Sequence, residues 1–386
     1  MEKTVAVLGA TGSVGSQALD VAEKRGYKVD LISANSNLRD IEPLARKFKP
    51  RFVAMADEAS AKSLSASLAD TDIKVFGGEE GISEAISLTS AETVINSIIG
   101  EAGLIPTLAT ISAGKRMALA NKESLVIAGE IVMSSAKERG VDIIPVDSEH
   151  SAIYQSMKAG RAGEVKRLLL TASGGPFYGK TREQLKSVTL EDTLHHPTWK
   201  MGRKITVDSA TLMNKGFEIV EASHLFSVPP EKIKVLIHRE SILHSAVEYI
   251  DNSVIGEFSV PDMRSCVQYA VDYPKREAAV IGELDLASLG SLTFGEVDTE
   301  AFPLINLAKE AMAAGGGMCA VMNAADEEAV SAFLSGKISF SDIPEIVFSA
   351  YSKVSFAKNE TTLEGIILSD REARIAAREE IEKLCC

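Results

Sequence analysis

Residues 4–8, Thr-Val-Ala-Val-Leu, form a short β-rich run that leads without a spacer into Gly9-Ala10-Thr11-Gly12-Ser13-Val14-Gly15. An amphipathic stretch follows, with Val14, Ala18, Leu19, Val21 and Ala22 on one side. A buried strand, a turn of glycines and a helix open a βαβ unit, which buries its apolar faces only if the alternation continues. It continues: strands are predicted at 28–33, 51–55, 74–76, 93–96, 116–119 and 142–146, with helical segments such as 59–68 and 123–138 between them. This pattern predicts an α/β fold opening with a doubly wound, Rossmann-like parallel sheet.

The pattern changes near Ala152. Strand-like runs at 165–171, 233–238, 245–250 and 254–260 are interleaved with loops, and Asp251-Asn252 sits at hairpin spacing. A helix starting near Ala210 carries Met213, Phe217, Val220 and Leu225 on its apolar side, and another is predicted at 264–271. These elements predict a central α+β domain with an open-faced sheet. Residues 274–295 carry few regular signals, and helical periodicity returns at 304–313, 318–334, 343–351 and 370–384. The expected division is 1–150 for nucleotide binding, 151–273 for catalysis, 274–300 as a connection and 301–386 as a C-terminal α-helical domain; 386 residues suffice for two or three cores.

Charge narrows the function. A formal net charge of -13 with no basic tract excludes non-specific nucleic-acid binding, so an anionic substrate needs locally concentrated donors. No apolar run approaches the roughly 20 residues that span a bilayer, and no targeting segment is read before the first strand, so a soluble, cytoplasmic chain is expected. Cys266, Cys319, Cys385 and Cys386 show neither metal-ligand spacing nor a disulfide framework, as in a reducing compartment. The terminal pair reads as a frayed end, with lipid attachment as the alternative.

Gly9, Gly12 and Gly15 match a G-x-x-G-x-x-G variant of the dinucleotide fingerprint, with Thr11 and Ser13 as extra hydroxyl donors at a helix N-terminus. An NAD site places an acidic residue roughly 20 positions on, at the end of the second strand. Here stand Ser33-Ala34-Asn35-Ser36-Asn37 with Arg39 close behind, which leaves a 2′-phosphate unrepelled and favours NADP.

Asp147 and Glu149 lie at the carboxyl end of a predicted strand, where open α/β sheets place ligands. Two readings stand side by side: a site for a hard divalent ion such as Mg²⁺ or Mn²⁺, or a cap on a following helix. Glu218 and Glu221 are the candidates for a third oxygen ligand. Thr171-Ala172-Ser173-Gly174-Gly175-Pro176-Phe177 is a donor-rich turn after a strand, either an anion cradle, with Ser209, Asn214 and Lys215, or a plain turn. His195-His196-Pro197-Thr198-Trp199-Lys200-Met201-Gly202 holds the single tryptophan in a loop bounded by Pro and Gly, either a lid or a surface loop. In Asn121-Lys122-Glu123 the lysine brings an ammonium to the same strand edge, or Asn121 caps a helix; His238 at a strand end is an edge histidine unless a ligand claims it.

Taken together, GATGSVG (9–15), LANKES (119–124), PVDSEHSAIYQ (145–155), TASGGPF (171–177), HPTWKMGRKITVDSATLMNKGFE (196–218) and MNAADE (322–327) resemble the 1-deoxy-D-xylulose 5-phosphate reductoisomerase family over essentially the whole chain. The resemblance implies an NADPH- and divalent-metal-dependent isomerisation and reduction giving 2-C-methyl-D-erythritol 4-phosphate, by a homodimer. It implies metal ligands Asp147, Glu149 and Glu218, and catalytic roles for Lys122, Glu149 and His196. Substrate would meet Ser148, Ser173, His196, Trp199, Ser209, Asn214, Lys215 and His238. The cofactor would meet Gly9, Thr11, Gly12, Ser13, Val14, Ala34, Asn35, Ser36, Asn37, Asn121, Glu123 and Gly202. The chain departs from the family pattern at Arg239-Glu240, where relatives often have Pro-Gln, and at Asn35-Ser36, where they often carry a glycine or a basic residue.

Two rivals give different expectations. A simple NADP-linked dehydrogenase of the aspartate-semialdehyde type needs a nucleophilic cysteine and has no use for Asp147 and Glu149. A non-catalytic dinucleotide sensor has no use for three carboxylates and a phosphate cradle.

Overall fold

The computed structural model describes residues 3–199 and 201–385, without the Cys385 side chain; Lys200 of the expected lid and Cys386 lie outside the described residues. The chain divides into two compact units, one comprising 1–124, 132–151 and 262–283, the other 125–131, 152–261 and 284–386.

The first unit is built on β1 (Thr4–Leu8), β2 (Lys28–Ala34), β3 (Phe52–Met55), β4 (Lys74–Gly77), β5 (Thr93–Asn96), β6 (Arg116–Leu119) and β7 (Ile143–Pro145). All pairings are parallel, in the order β4-β3-β2-β1-β5-β6-β7. This is the doubly wound topology, and its strand order reverses between β1 and β5, where such sheets bind ligands. The strands read as near-continuous apolar runs because helices cover both faces; Ala6, Leu8, Leu31, Ala54 and Val94 pack with Ile82 and Ile86 in one cluster. The Arg264–Asp272 helix, expected with the central segment, packs against Ser13–Arg25. Asp272 anchors it, accepting from Lys3 Nζ and from Tyr27 Oη, each at 2.6 Å, while Arg264 reaches Asp20 at 2.8 Å.

The second unit holds β8 (Val165–Ala172), β9 (Ile233–Ile237), β10 (Leu243–Tyr249) and β11 (Val254–Phe258) in the order β11-β10-β8-β9. β10 runs antiparallel to both neighbours, and β8 and β9 are parallel. The β10–β11 hairpin turns at Asp251-Asn252, with Asn252 at φ 65°, a conformation asparagine tolerates. The helix expected from Ala210 is two helices, Arg203–Thr211 and Met213–Phe226, broken at Leu212 with φ 59°. The helices Leu304–Ala314, Met318–Leu334, Asp342–Lys353 and Leu363–Cys385 follow, the last starting before its expected 370. Met213, Phe217, Leu304, Val321, Met322, Val330 and Ile343 share one core, so the C-terminal helices pack as a body with the cradle-bearing helices. Among the described residues no helix is long and apolar enough to cross a membrane.

Candidate functional site

The glycine turn sits at the carboxyl end of β1, at the topological switch, and its glycines are sterically required. Gly9 has φ 75°, and a Cβ there would meet the Ser97 carbonyl oxygen at 2.7 Å; a Cβ at Gly15 would lie 2.2 Å from the Gly9 carbonyl oxygen. Gly12 is the N-cap of Ser13–Arg25 and has no side chain to satisfy the first amides, so these remain for an anion. At the end of β2, Asn35, Ser36 and Asn37 are exposed and Ala34 is buried. Asn37 also caps the Leu38–Phe48 helix, its Oδ1 accepting from Asp40 N at 3.3 Å and its Nδ2 donating to the Asp40 carboxylate at 2.7 Å. Asn121 is a buried brace. Its Nδ2 donates to the Ile98 and Gly100 carbonyls at 2.8 and 2.9 Å and to Glu123 at 3.0 Å, while Oδ1 accepts from Ser124 N at 3.0 Å. The loop after β5 is thereby held against the end of β6.

At the edge of the same sheet, Asp147 follows β7 and caps the helix after it, the second of the two readings left open above. Its Oδ1 caps the Ser148–Ser156 helix, accepting from Glu149 N at 3.1 Å and His150 N at 3.4 Å, with His150 Nδ1 at 2.9 Å. Its Oδ2 accepts from Lys122 Nζ at 2.7 Å. Burial opposes the charge on Asp147, but the Lys122 ammonium and the His150 ring outweigh it and hold the carboxyl well below the usual carboxylate range. Glu149, next on the helix, accepts from the Ser148 hydroxyl. Sequence reasoning missed His150, although its i,i+3 spacing from Asp147 in a helix was the signal that pointed to it.

In the second unit a polar cluster forms around Ser173. Ser173 begins the turn after β8, and its Oγ meets His196 Nε2 at 3.0 Å. His196 Nδ1 accepts from Thr198 N at 3.2 Å and Trp199 N at 2.9 Å, which assigns the ring proton to Nε2 and makes Ser173 its acceptor. The neighbours His195 and Pro197 line a cleft of about 470 Å³ with Lys180 and Arg239. Trp199 is half-buried, its ring 6.1 Å from that of His244.

Gly174 and Gly175, at φ 79° and 62°, set the turn. A Cβ at Gly175 would stand 2.6 Å from the Ser209 carbonyl oxygen, so the turn packs directly on the Arg203–Thr211 helix. Gly202, the exposed N-cap of that helix, also lies in the second unit. The left-handed break at Leu212 then re-aims the chain into the helix bearing Asn214, Lys215 and Glu218. Lys215 Nζ donates to the Thr171 carbonyl at 2.5 Å and to Glu218, and Asn214 Nδ2 donates to Glu218 at 2.5 Å. Glu218 is buried beside donors that stabilise its charge, and its oxygens suit a hard cation.

His238, expected to hold substrate, has both ring nitrogens engaged inside the fold. Nε2 accepts from Ile242 N and Leu243 N at 3.2 and 3.1 Å, and Nδ1 lies 2.9 Å from the Thr293 carbonyl and 3.1 Å from Glu240. The departures at 239 and 240 are also structural: Arg239 donates to the Gly175 carbonyl at 2.9 Å, and Glu240 accepts from Thr293 Oγ1 at 2.7 Å.

Comparison with known proteins decides what this assembly is. The 1-deoxy-D-xylulose 5-phosphate reductoisomerase profile matches residues 5–129, and profiles of its C-terminal domains match 143–226 and 258–376. The chain belongs to the 1-deoxy-D-xylulose 5-phosphate reductoisomerase family. The Acetivibrio thermocellus member is 50% identical over 374 residues, covering 97% of this chain and 98% of its own. The Caldanaerobacter subterraneus member is 49% identical over 375 residues, covering 96% and 97%. Among solved structures, the Zymomonas mobilis reductoisomerase in complex with NADPH is 40% identical, covers 99% of this chain and 100% of its own, and superposes with a TM-score of 0.92. Another reductoisomerase, solved with NADPH, fosmidomycin and magnesium, is 38% identical, covers 99% of each chain and has a TM-score of 0.93.

Proposed function

We propose that this chain converts 1-deoxy-D-xylulose 5-phosphate into 2-C-methyl-D-erythritol 4-phosphate, using NADPH and a divalent cation. The observation that carries the reading is the near full-length match to reductoisomerases at about half identity. Residues 9–15 take the cofactor pyrophosphate on the first amides of the Ser13–Arg25 helix, and the uncharged end of β2 admits a 2′-phosphate. Asp147, Glu149 and Glu218 hold the cation, Mg²⁺ or Mn²⁺. When bound, that ion supplies Lewis-acid stabilisation of oxygen charge during rearrangement and reduction.

The chain's own residues do the rest. Ser173, Ser209, Asn214 and Lys215 anchor the substrate phosphate far from the reacting carbons, so binding energy there orients the substrate. The Lys122 ammonium, fixed on Asp147 Oδ2, stands ready to hold or move a proton on a substrate hydroxyl. Ser148 and the His196 Nε2 proton are further donors to substrate oxygens, and Trp199 covers the bound molecule. His238 acts through the fold, bracing the loop at 239–243.

The dehydrogenase rival loses its nucleophile. Cys266 and Cys319 are buried, and burial pushes the Cys319 thiol up to about 12. Two free thiols also suit a cytoplasmic enzyme. A homodimer is part of the proposal: the edge strand β11 exposes Val254, Ile255 and Phe258, an apolar edge that a second copy would cover.

The test follows NADPH oxidation with 1-deoxy-D-xylulose 5-phosphate before and after chelation, and again after adding Mg²⁺ or Mn²⁺. Turnover that requires both substrate and restored metal is expected; undiminished turnover in the chelated sample refutes the metal assignment. Glu218→Gln abolishes turnover while NADPH affinity stays near wild type, and a large loss of NADPH binding shows that Glu218 is misassigned.

A further inference from the structure

The Arg203–Thr211 helix presents its Ser209 backbone to the Ser173–Gly175 turn, and the adjacent Asp208 meets Asp326 of the Met318–Leu334 helix. Lys204 Nζ lies 2.9 Å from Asp208 Oδ2 and 3.4 Å from Asp326 Oδ2. The two carboxyl groups are 3% and 0% exposed, and the lysine 19%. One ammonium therefore faces two buried carboxyls, and a low-dielectric interior does not hold the surplus charge. The longer lysine contact falls on Asp326, whose Oδ1 meets no donor among the described residues. Glu327, beside it, is already taken by Arg374 of the Leu363–Cys385 helix at 2.7 Å and adds only repulsion, and Asn323 gives its amide to Glu327 at 3.2 Å. Beneath the cluster, Lys204 lies 4.9 Å above the Phe217 ring.

We propose that Asp326 is a positioning residue for the phosphate cradle. It carries a proton, donates it to Asp208, and with Lys204 locks the Arg203–Thr211 helix in register against the Met318–Leu334 helix, which sets Ser209 against the Ser173–Gly175 turn. With one proton shared, the cluster is neutral: an ammonium, a carboxylate and a carboxylic acid. Burial, followed by the Asp208 charge, lifts the Asp326 carboxyl well above the usual range, in keeping with that count. Within this cluster an asparagine at 326 would serve as well as a protonated aspartate, because its amide donates the same hydrogen bond.

The inference rests on the assignment of Ser173 and Ser209 to the substrate phosphate. D326N, D326L and wild type are compared by substrate KM, NADPH KM and the Ki of inorganic phosphate, with thermal melts to verify folding. D326N is expected within about threefold of wild type in all three constants. D326L is expected to raise substrate KM and phosphate Ki tenfold or more, with NADPH KM unchanged. The proposal is overturned if D326N loses as much as D326L, if D326L leaves substrate KM and phosphate Ki unchanged, or if NADPH KM rises in parallel. Should D326L not fold, the isosteric double variant D208N/D326N decides. It strands the lysine charge and raises substrate KM and phosphate Ki tenfold, whereas wild-type values overturn the proposal. Absent wild-type turnover in the same assay refutes the functional reading, whereas active wild type with indifferent variants refutes only the positioning role.

Discussion

Replacing Gly175 by alanine places a single methyl group where the turn touches the Arg203–Thr211 helix. Two costs add. At φ 62° an L-residue sits in the left-handed region, a penalty of about 1–2 kcal/mol. The new Cβ would also stand 2.6 Å from the Ser209 carbonyl oxygen and 3.2 Å from Ala210 Cα, where ordinary contact begins at 3.4 Å. Helix and turn must then separate by roughly 0.8 Å, the overpacking regime of about 1–3 kcal/mol. The expected loss of stability is therefore about 2–5 kcal/mol, read by urea or thermal denaturation. Because the displaced atoms carry Ser173 and Ser209, the damage also reaches function. A misplacement near 1 Å costs on the order of 100-fold in a positioned site, so substrate KM should rise about 10- to 100-fold while NADPH KM holds. Gly179→Ala is the control: Gly179 has φ 84°, and a Cβ there meets nothing within 4 Å. It should lose only the backbone penalty and keep its KM. A folded Gly175→Ala enzyme with substrate KM within twofold of wild type refutes the argument, as does an equal KM effect from Gly179→Ala.

Three further outcomes are expected. Lys122→Met should lower kcat by about 10²- to 10⁴-fold with NADPH affinity unchanged by fluorescence titration; wild-type kcat would remove the lysine from the chemistry. Ser36→Asp should raise NADPH KM tenfold or more and affect NADH far less, because a carboxylate at the end of β2 repels a 2′-phosphate; equal effects on both cofactors would misplace that phosphate. Asp30 is fully buried and accepts from Arg51 Nε at 2.7 Å, Thr89 Oγ1 at 2.6 Å and Ser90 N at 2.8 Å. Burial works against its charge, but these hydrogen bonds prevail and depress its pKa. Its stabilisation is thus complete above the ordinary carboxyl pKa near ~4 and is lost as pH falls from there toward the folded value. Asp30→Asn should cost about 2–3 kcal/mol at pH 7, with the gap between the two melting curves narrowing by pH 3; a gap unchanged with pH contradicts this.

The parallel sheet was legible in the sequence because each strand is a short apolar run bounded by turn residues, and β5 and β6 fall on the predicted residues. The glycine turn was legible for a steric reason that the close approaches at Gly9 and Gly15 make explicit. Less was legible where partners are far apart in sequence. Nothing near Arg264 announces that its helix packs on Ser13–Arg25, since the anchors Lys3, Asp20 and Tyr27 lie at the other end of the chain. Asp326 reads as an ordinary helical residue until Asp208 and Lys204 are placed against it. Leu212 gives no sign of a left-handed break, because leucine favours uninterrupted helix and the break is imposed by the packing around it. The cap at Asp147 does not exclude a metal role, for a carboxylate has two oxygens, and the capping amides occupy only Oδ1.

That division at Asp147 bears on ion choice. With Oδ1 tied to two amides and an imidazole, and Oδ2 shared with Lys122 Nζ at 2.7 Å, the carboxylate would meet an ion at the proposed site through one oxygen in one direction. Calcium, which gathers six to eight oxygens and often takes carboxylates in bidentate fashion, is poorly served by such a ligand. A small ion content with single-oxygen contacts and its own waters loses nothing, so at the proposed site discrimination between ions would begin with a helix cap.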